Sequence, residues 1–138
     1  MTDATVYTAK AHAVGGRQGT AKTDDGHLDV QLGYPKSLGG NGEGTNPEQL
    51  FAAGYAACFL GALGLVARNQ SVKLGEHSLD SEVDLIKDEV SFHIGVRLTL
   101  NAPEVDRAVA EDLLHKAHQV CPYSKATRGN VVVELKVA

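Results

Sequence analysis

From Leu50 to Val66 the chain carries no charged residue. A helix built on this run has no polar stripe to face water and must be enclosed on every side. Its start is well marked: Asn46 is a suitable N-cap, Pro47 fits the first helical position, and Gln49 stands where a capping box places it. A membrane span would need about 20 predominantly apolar residues, and this run falls slightly short. The content of Ala52, Ala53, Gly54, Ala56, Ala57, Gly61, Ala62 and Gly64 also gives a weak insertion signal while letting another backbone come close. Those two features favour a central helix buried in a soluble protein.

Around it the pattern changes to a period of two. Thr5 to Val14 alternates loosely and predicts a strand ended by Gly15-Gly16, Thr20 to Asp24 predicts a second, and Asp25-Gly26 turns into a third over His27 to Leu32. Gly33 to Gly44 is rich in glycine and contains Pro35, so it reads as a loop, either a connector or a lid. Beyond the helix, Leu79, Ser81, Val83 and Leu85 share one face opposite Asp80, Glu82 and Asp84. Lys87-Asp88-Glu89 turns the chain into the clearest strand, where Phe92, Ile94, Val96, Leu98 and Leu100 alternate with polar positions and Arg97 points outward. Pro103 opens a second helix with Val105, Ala108, Val109, Leu113, Ala117 and Val120 at helical spacing, and Pro122 closes it. Val131, Val133, Leu135 and Val137 form a last strand. These elements predict an α+β fold of antiparallel sheets packed around one long buried helix, and no linker or repeat divides 1–138 into more than one domain.

Composition narrows the function. A chain of 138 residues with net charge −4 and 22% charged residues suits one soluble domain with a real core. The basic residues are scattered, which excludes a phosphate-tracking nucleic-acid surface. No membrane partner is expected, and Met1-Thr2-Asp3-Ala4 lacks the basic and apolar regions of a leader, so a cytoplasmic setting with reduced cysteines is expected. No Walker or Rossmann spacing is present, and no nucleophile elbow surrounds either cysteine.

That leaves Cys58, on the apolar helix, and Cys121, at the proline-terminated end of the second. Isolated cysteines in such a setting are commonly inert small hydrophobes, but a redox pair remains open. His115, His118 and Cys121 follow one another at three-residue spacing, yet they spread across about 120° of helix with no fourth ligand in sight, which argues against zinc. Arg17 lies in Gly15-Gly16-Arg17-Gln18-Gly19, where the glycines permit a close backbone approach; the alternative is an exposed hairpin arginine.

Two stretches, Asn46-Pro47-Glu48-Gln49-Leu50-Phe51-Ala52-Ala53-Gly54-Tyr55-Ala56-Ala57-Cys58-Phe59 and Val120-Cys121-Pro122-Tyr123-Ser124-Lys125-Ala126-Thr127-Arg128-Gly129-Asn130, resemble the two cysteine motifs of the organic hydroperoxide resistance (Ohr) subgroup of the OsmC family. The Arg17 turn resembles that subgroup's arginine turn, and order and spacing agree over essentially the whole chain. The resemblance implies an OsmC-like fold, an intertwined homodimer, and a thiol-dependent peroxidase that reduces organic hydroperoxides to alcohols without metal, haem or flavin. It implies Cys58 as the peroxidatic cysteine, Cys121 as the resolving cysteine that closes a disulfide with it, and Arg17 with Glu48 as the charged pair beside Cys58. It also implies a lipoyl dithiol, on a lipoylated protein, or another dithiol as the external reductant. The competing reading is a redox-inert dimeric protein that binds small apolar ligands.

Physical chemistry makes the same demands of those roles. Cys58 lies some three turns from the helix start, beyond the reach of the dipole, and apolar burial alone raises a thiol's pKa, so a nearby cation is required. A buried arginine in turn needs a carboxylate, and Glu48 is the acid at the head of the helix. Glu48 and Cys58 are about 15 Å apart along the axis and point in different directions. Either Arg17 spans that gap, or a second copy of the helix delivers Glu48 in trans. The sequence therefore predicts a two-fold dimer whose sites combine Cys58 and Cys121 of one subunit with Arg17 and Glu48 of the other. Leu50, Phe51, Tyr55, Phe59 and Leu60 are expected to enclose the thiol and reward an apolar substrate.

Overall fold

The computed structural model describes residues 3–138; Met1 and Thr2, part of the stretch read for a leader, lie outside the described residues. The chain falls into two compact units, 1–47 and 48–138.

In the first unit, β1 (Ala11–Val14), β2 (Thr20–Thr23) and β3 (Asp29–Gln31) form an antiparallel sheet in the order β1-β2-β3. The strand expected over Thr5 to Val14 is real only from Ala11, because β2 is four residues long and its register gives a partner to Ala11 but to nothing before it. One further bond, from the Asp24 N–H to Lys10 O at 3.2 Å, ends the pairing beyond that register. Thr23 and Asp25 shape the predicted turn, the Thr23 hydroxyl donating to Asp25 Oδ1 at 2.7 Å and the His27 N–H to the same oxygen at 3.0 Å. The glycine-rich loop holds a short 3-10 turn, Lys36–Leu38, and rejoins the sheet through a bridge between Leu32 and Thr45.

The second unit is organised by α1 (Pro47–Asn69), which begins where the capping residues predict. It ends in a Schellman-type closure: Ser71 takes a positive φ of 57°, its N–H reaches Arg68 O at 3.1 Å, and the Val72 N–H reaches Ala67 O at 2.9 Å. β4 (Ser78–Lys87) and β5 (Phe92–Asn101) form the predicted hairpin. α2 (Arg107–Val120) and α3 (Pro122–Thr127) then lead to β6 (Val133–Val137), which lies beside β5.

The β5–β6 pair is parallel, so this sheet is mixed rather than purely antiparallel. Two strands running the same way need a crossover between them, and α2 with α3 supplies it. α2 starts at Arg107, after Asp106, and not at Pro103; the three residues after Ala102 form a turn instead, closed by the Val105 N–H on Ala102 O at 3.1 Å. Pro122 does end α2, but it also occupies the first position of α3, where a missing N–H costs nothing.

Tyr55, Phe59, Leu63 and Val66 of α1 pack with Val96, Leu98 and Leu100 of the sheet and with Leu113, Leu114 and Ala117 of α2 in one core. On the opposite sheet face Arg97 pairs with Glu82 directly across the ladder and with Asp84 two residues along β4, as an outward arginine should. α1 is a helix that by length and composition could cross a membrane, but one side of it builds this core. On its other side Ala53, Ala57, Gly61 and Leu65 are exposed.

Candidate functional site

Cys58 stands three residues after Tyr55 on α1, so both project from one side of the helix. Tyr55 is fully buried and Cys58 half-buried. Cys121 arrives from the corner between α2 and α3, where it is at once the residue after α2 and the residue before α3. Its backbone is fixed from both sides, the N–H donating to Ala117 O and the carbonyl accepting from the Lys125 N–H, each at 2.9 Å. The two sulfurs are 3.7 Å apart and both thiols are free. A disulfide needs about 2.05 Å, so closing the pair asks for a shift of roughly 1.6 Å.

Burial pushes the Cys58 thiol above its ordinary pKa, and the neighbouring Cys121 pushes it further the same way; the backbone N–H of Tyr123 acts against both. These influences favour the thiol form of Cys58, so its activation needs a positive charge.

Arg17 lies in the first unit, in the 3-10 turn Gly16–Gln18. Gly15 and Gly16 take φ of 77° and 60°, and a Cβ on Gly19 would meet Val14 O at 1.6 Å, so this turn admits glycine there and little else. Glu48 is in the first turn of α1 and half-buried. The structure therefore brings Cys58 and Cys121 together and sets Glu48 two to three turns from Cys58 on the same helix.

An apolar cleft of about 830 Å³ opens in the second unit, lined by Phe51, Ile94, Pro122, Tyr123, Ala126 and Val131 among others. Of the five residues expected to enclose the thiol, Phe51 does line this cleft. Tyr55 and Phe59 are fully buried in the core against which Cys58 packs. Tyr123 packs across α1 against Phe51 and Tyr55, with ring centroids 5.9 and 5.6 Å away. Gly54 allows this, for a Cβ there would sit 2.6 Å from the Tyr123 hydroxyl oxygen.

Sequence reasoning missed a buried polar chain beside the cysteines. Tyr55 Oη and Ser124 Oγ lie 2.8 Å apart, both atoms in fully buried residues, and Ser124 Oγ lies 2.8 Å from His118 Nδ1. Tyr55 Oη is also 3.3 Å from Thr127 Oγ1, which donates to Ser124 O at 3.1 Å. His118, read with His115 and Cys121 as a candidate ligand, is thus turned to a serine. Burial, then the charges of Arg128 and His115, hold its pKa below the ordinary value. The available signal was the hydroxyl of Tyr55 on an otherwise apolar helix, which needs a partner when buried.

A core helix and a helix corner that each deliver a cysteine to one sulfur contact define a two-thiol α+β protein. Residues 40–136 match the OsmC-like protein family. The organic hydroperoxide resistance protein of Xanthomonas axonopodis pv. citri is 53% identical over 135 residues, covering 96% of this chain and 95% of its own. OhrB of Bacillus subtilis is 49% identical over 134 residues, covering 96% and 98%. The crystal structure of an organic hydroperoxide resistance protein OsmC from Legionella pneumophila superposes with a TM-score of 0.93 at 49% identity, covering 98% of this chain and 99% of that one. The chain belongs to the organic hydroperoxide resistance group of the OsmC-like family.

Proposed function

We propose that this protein is a thiol-dependent peroxidase that reduces organic hydroperoxides to alcohols, with Cys58 as the attacking and Cys121 as the resolving cysteine. The observation that carries the reading is the 3.7 Å contact between two free thiols, one half-buried and one fully buried. Attack by the Cys58 thiolate on the distal peroxide oxygen breaks the O–O bond, releases alcohol and leaves a sulfenic acid on Cys58. The Cys121 thiol displaces that oxygen as water and closes the disulfide. Two electrons and two protons from an external dithiol then restore both thiols, and a lipoyl dithiol is the reductant we assign. No metal, haem or flavin enters the cycle.

Because burial raises the Cys58 pKa, the thiolate requires a cation, and Arg17 oriented by Glu48 is the pair assigned to it. The exposed Ala53, Ala57, Gly61 and Leu65 face of α1 supports an intertwined dimer, since an apolar helix side calls for cover and small residues let backbones approach. In that dimer Arg17 and Glu48 serve the cysteines of the other subunit. We place the protein in the cytoplasm, where a dithiol pool keeps the resting cysteines reduced.

The apolar cleft beside Pro122 and Tyr123 also suits a second reading, binding of small apolar ligands without redox chemistry. Substrate preference separates the two. Each buried methylene contributes about 0.8 kcal/mol, so three or four of them favour an alkyl or aryl hydroperoxide over hydrogen peroxide by roughly a hundredfold in kcat/KM. A measured preference for hydrogen peroxide, or no turnover of either with a dithiol present, would overturn the proposal.

A further inference from the structure

The buried polar chain links the two cysteine-bearing segments at matching distances. Tyr55 stands three residues before Cys58 on α1, and Ser124 stands three residues after Cys121 on α3. Their 2.8 Å hydrogen bond spans 69 positions of sequence and is wholly enclosed, so water cannot replace it if it breaks. His118, three residues before Cys121 on α2, holds the same Ser124 oxygen at 2.8 Å. The far side of the corner is tied as well, by the Arg128 guanidinium donating to His118 O at 2.6 Å.

The proton count closes. With His118 neutral and Nδ1 accepting, Ser124 donates to it, Tyr55 donates to Ser124, and Thr127 donates to Ser124 O. Every hydroxyl proton then has an acceptor, so the three buried hydroxyls of Tyr55, Ser124 and Thr127 are all satisfied, the kind of set that fixes a single packing arrangement.

Resting on the peroxidase reading, we propose that Tyr55, Ser124 and His118 are positioning residues for the resolving step: they clamp the Cys121 corner to α1, so the Cys58 sulfenic acid meets the Cys121 thiol before it meets a second hydroperoxide. In that step the S–O bond of Cys58 breaks and the S–S bond forms. The oxygen leaves as water with the proton from Cys121, whose sulfur is oxidised while that of Cys58 is reduced. The competing step, attack of the sulfenic acid on more hydroperoxide, yields sulfinic acid and another alcohol. The clamp sets the ratio between these outcomes because the sulfurs start 3.7 Å apart and must approach by roughly 1.6 Å.

The test measures that ratio. Wild type, Tyr55→Phe, Ser124→Ala and the double variant are each mixed with cumene hydroperoxide at rising excess without reductant, and disulfide and sulfinic acid are quantified by intact mass. Loss of the clamp raises the sulfinic fraction relative to disulfide by roughly tenfold, the population shift that one buried hydrogen bond can hold. A merely structural defect lowers both products together and leaves their ratio in place. The double variant removes both hydroxyls of the 2.8 Å bond together, so neither single hydroxyl is left buried without the other, and it carries the test if a single variant fails to fold. A wild-type ratio in the folded variants overturns the clamp, whereas a wild-type protein that forms neither product overturns the peroxidase reading itself.

Discussion

Replacing Cys58 with serine abolishes hydroperoxide turnover, by a factor on the order of 10³ or more, while Cys121→Ser still consumes about one hydroperoxide per subunit and then stops. The contrast follows from position. Cys58 is the half-buried thiol on the helix face toward which Cys121 is brought, and without it the remaining thiol, Cys121, is fully buried and out of reach of the peroxide oxygen. Cys121 is fully buried at a helix corner, placed to displace that oxygen but not to meet bulk substrate. The Cys58 sulfenic acid formed in Cys121→Ser has no resolving partner, so turnover halts there, and only a large excess of hydroperoxide carries it on, with a second equivalent, to sulfinic acid. Hydroperoxide consumption followed with and without a dithiol checks both halves, and sustained normal turnover by Cys121→Ser would remove its resolving role.

The second large effect is expected from Arg17. With burial raising the Cys58 pKa, Arg17→Ala leaves the thiol protonated near neutral pH, and each unit of pKa removes about a factor of ten in thiolate. The sign is specific: the variant's rate climbs as pH rises toward the elevated pKa, because alkali then supplies the thiolate that the arginine otherwise stabilises. If the sites are shared across a two-fold dimer, mixing inactive Arg17→Ala and Cys58→Ser subunits restores activity. The mixed dimer has one site pairing intact cysteines with an intact arginine, so about a quarter of wild-type activity is expected from random exchange. A mixture that stays inactive after verified exchange places each site within one subunit.

Much of this was legible in the chain because the signals were local. Asn46, Pro47 and Gln49 mark the start of α1, and the alternation from Phe92 to Leu100 marks β5, since each pattern reports one element's own geometry. Both cysteines were visible as the residues on which any chemistry rests. What stayed hidden depended on partners distant in sequence. The parallel pairing of β6 with β5 is decided by the α2–α3 crossover, and the shortened β1 by the length of its neighbour. The hydroxyl of Tyr55 looks like part of an apolar helix until Ser124 is folded against it. Tyr55 and Phe59, expected to enclose the thiol, also build the core, because the same helix side must cover the sheet and α2.

Two cysteines 3.7 Å apart are expected to act as one redox pair toward organic hydroperoxides. Titrating the reduced protein with a single equivalent of cumene hydroperoxide, and counting free thiols before peptide mapping of the product, tests it most directly. Both thiols are expected to disappear together, with one peptide pair, joined through Cys58 and Cys121, accounting for them. Thiols that survive the oxidant untouched, or a disulfide that joins Cys58 to a second chain, would contradict it.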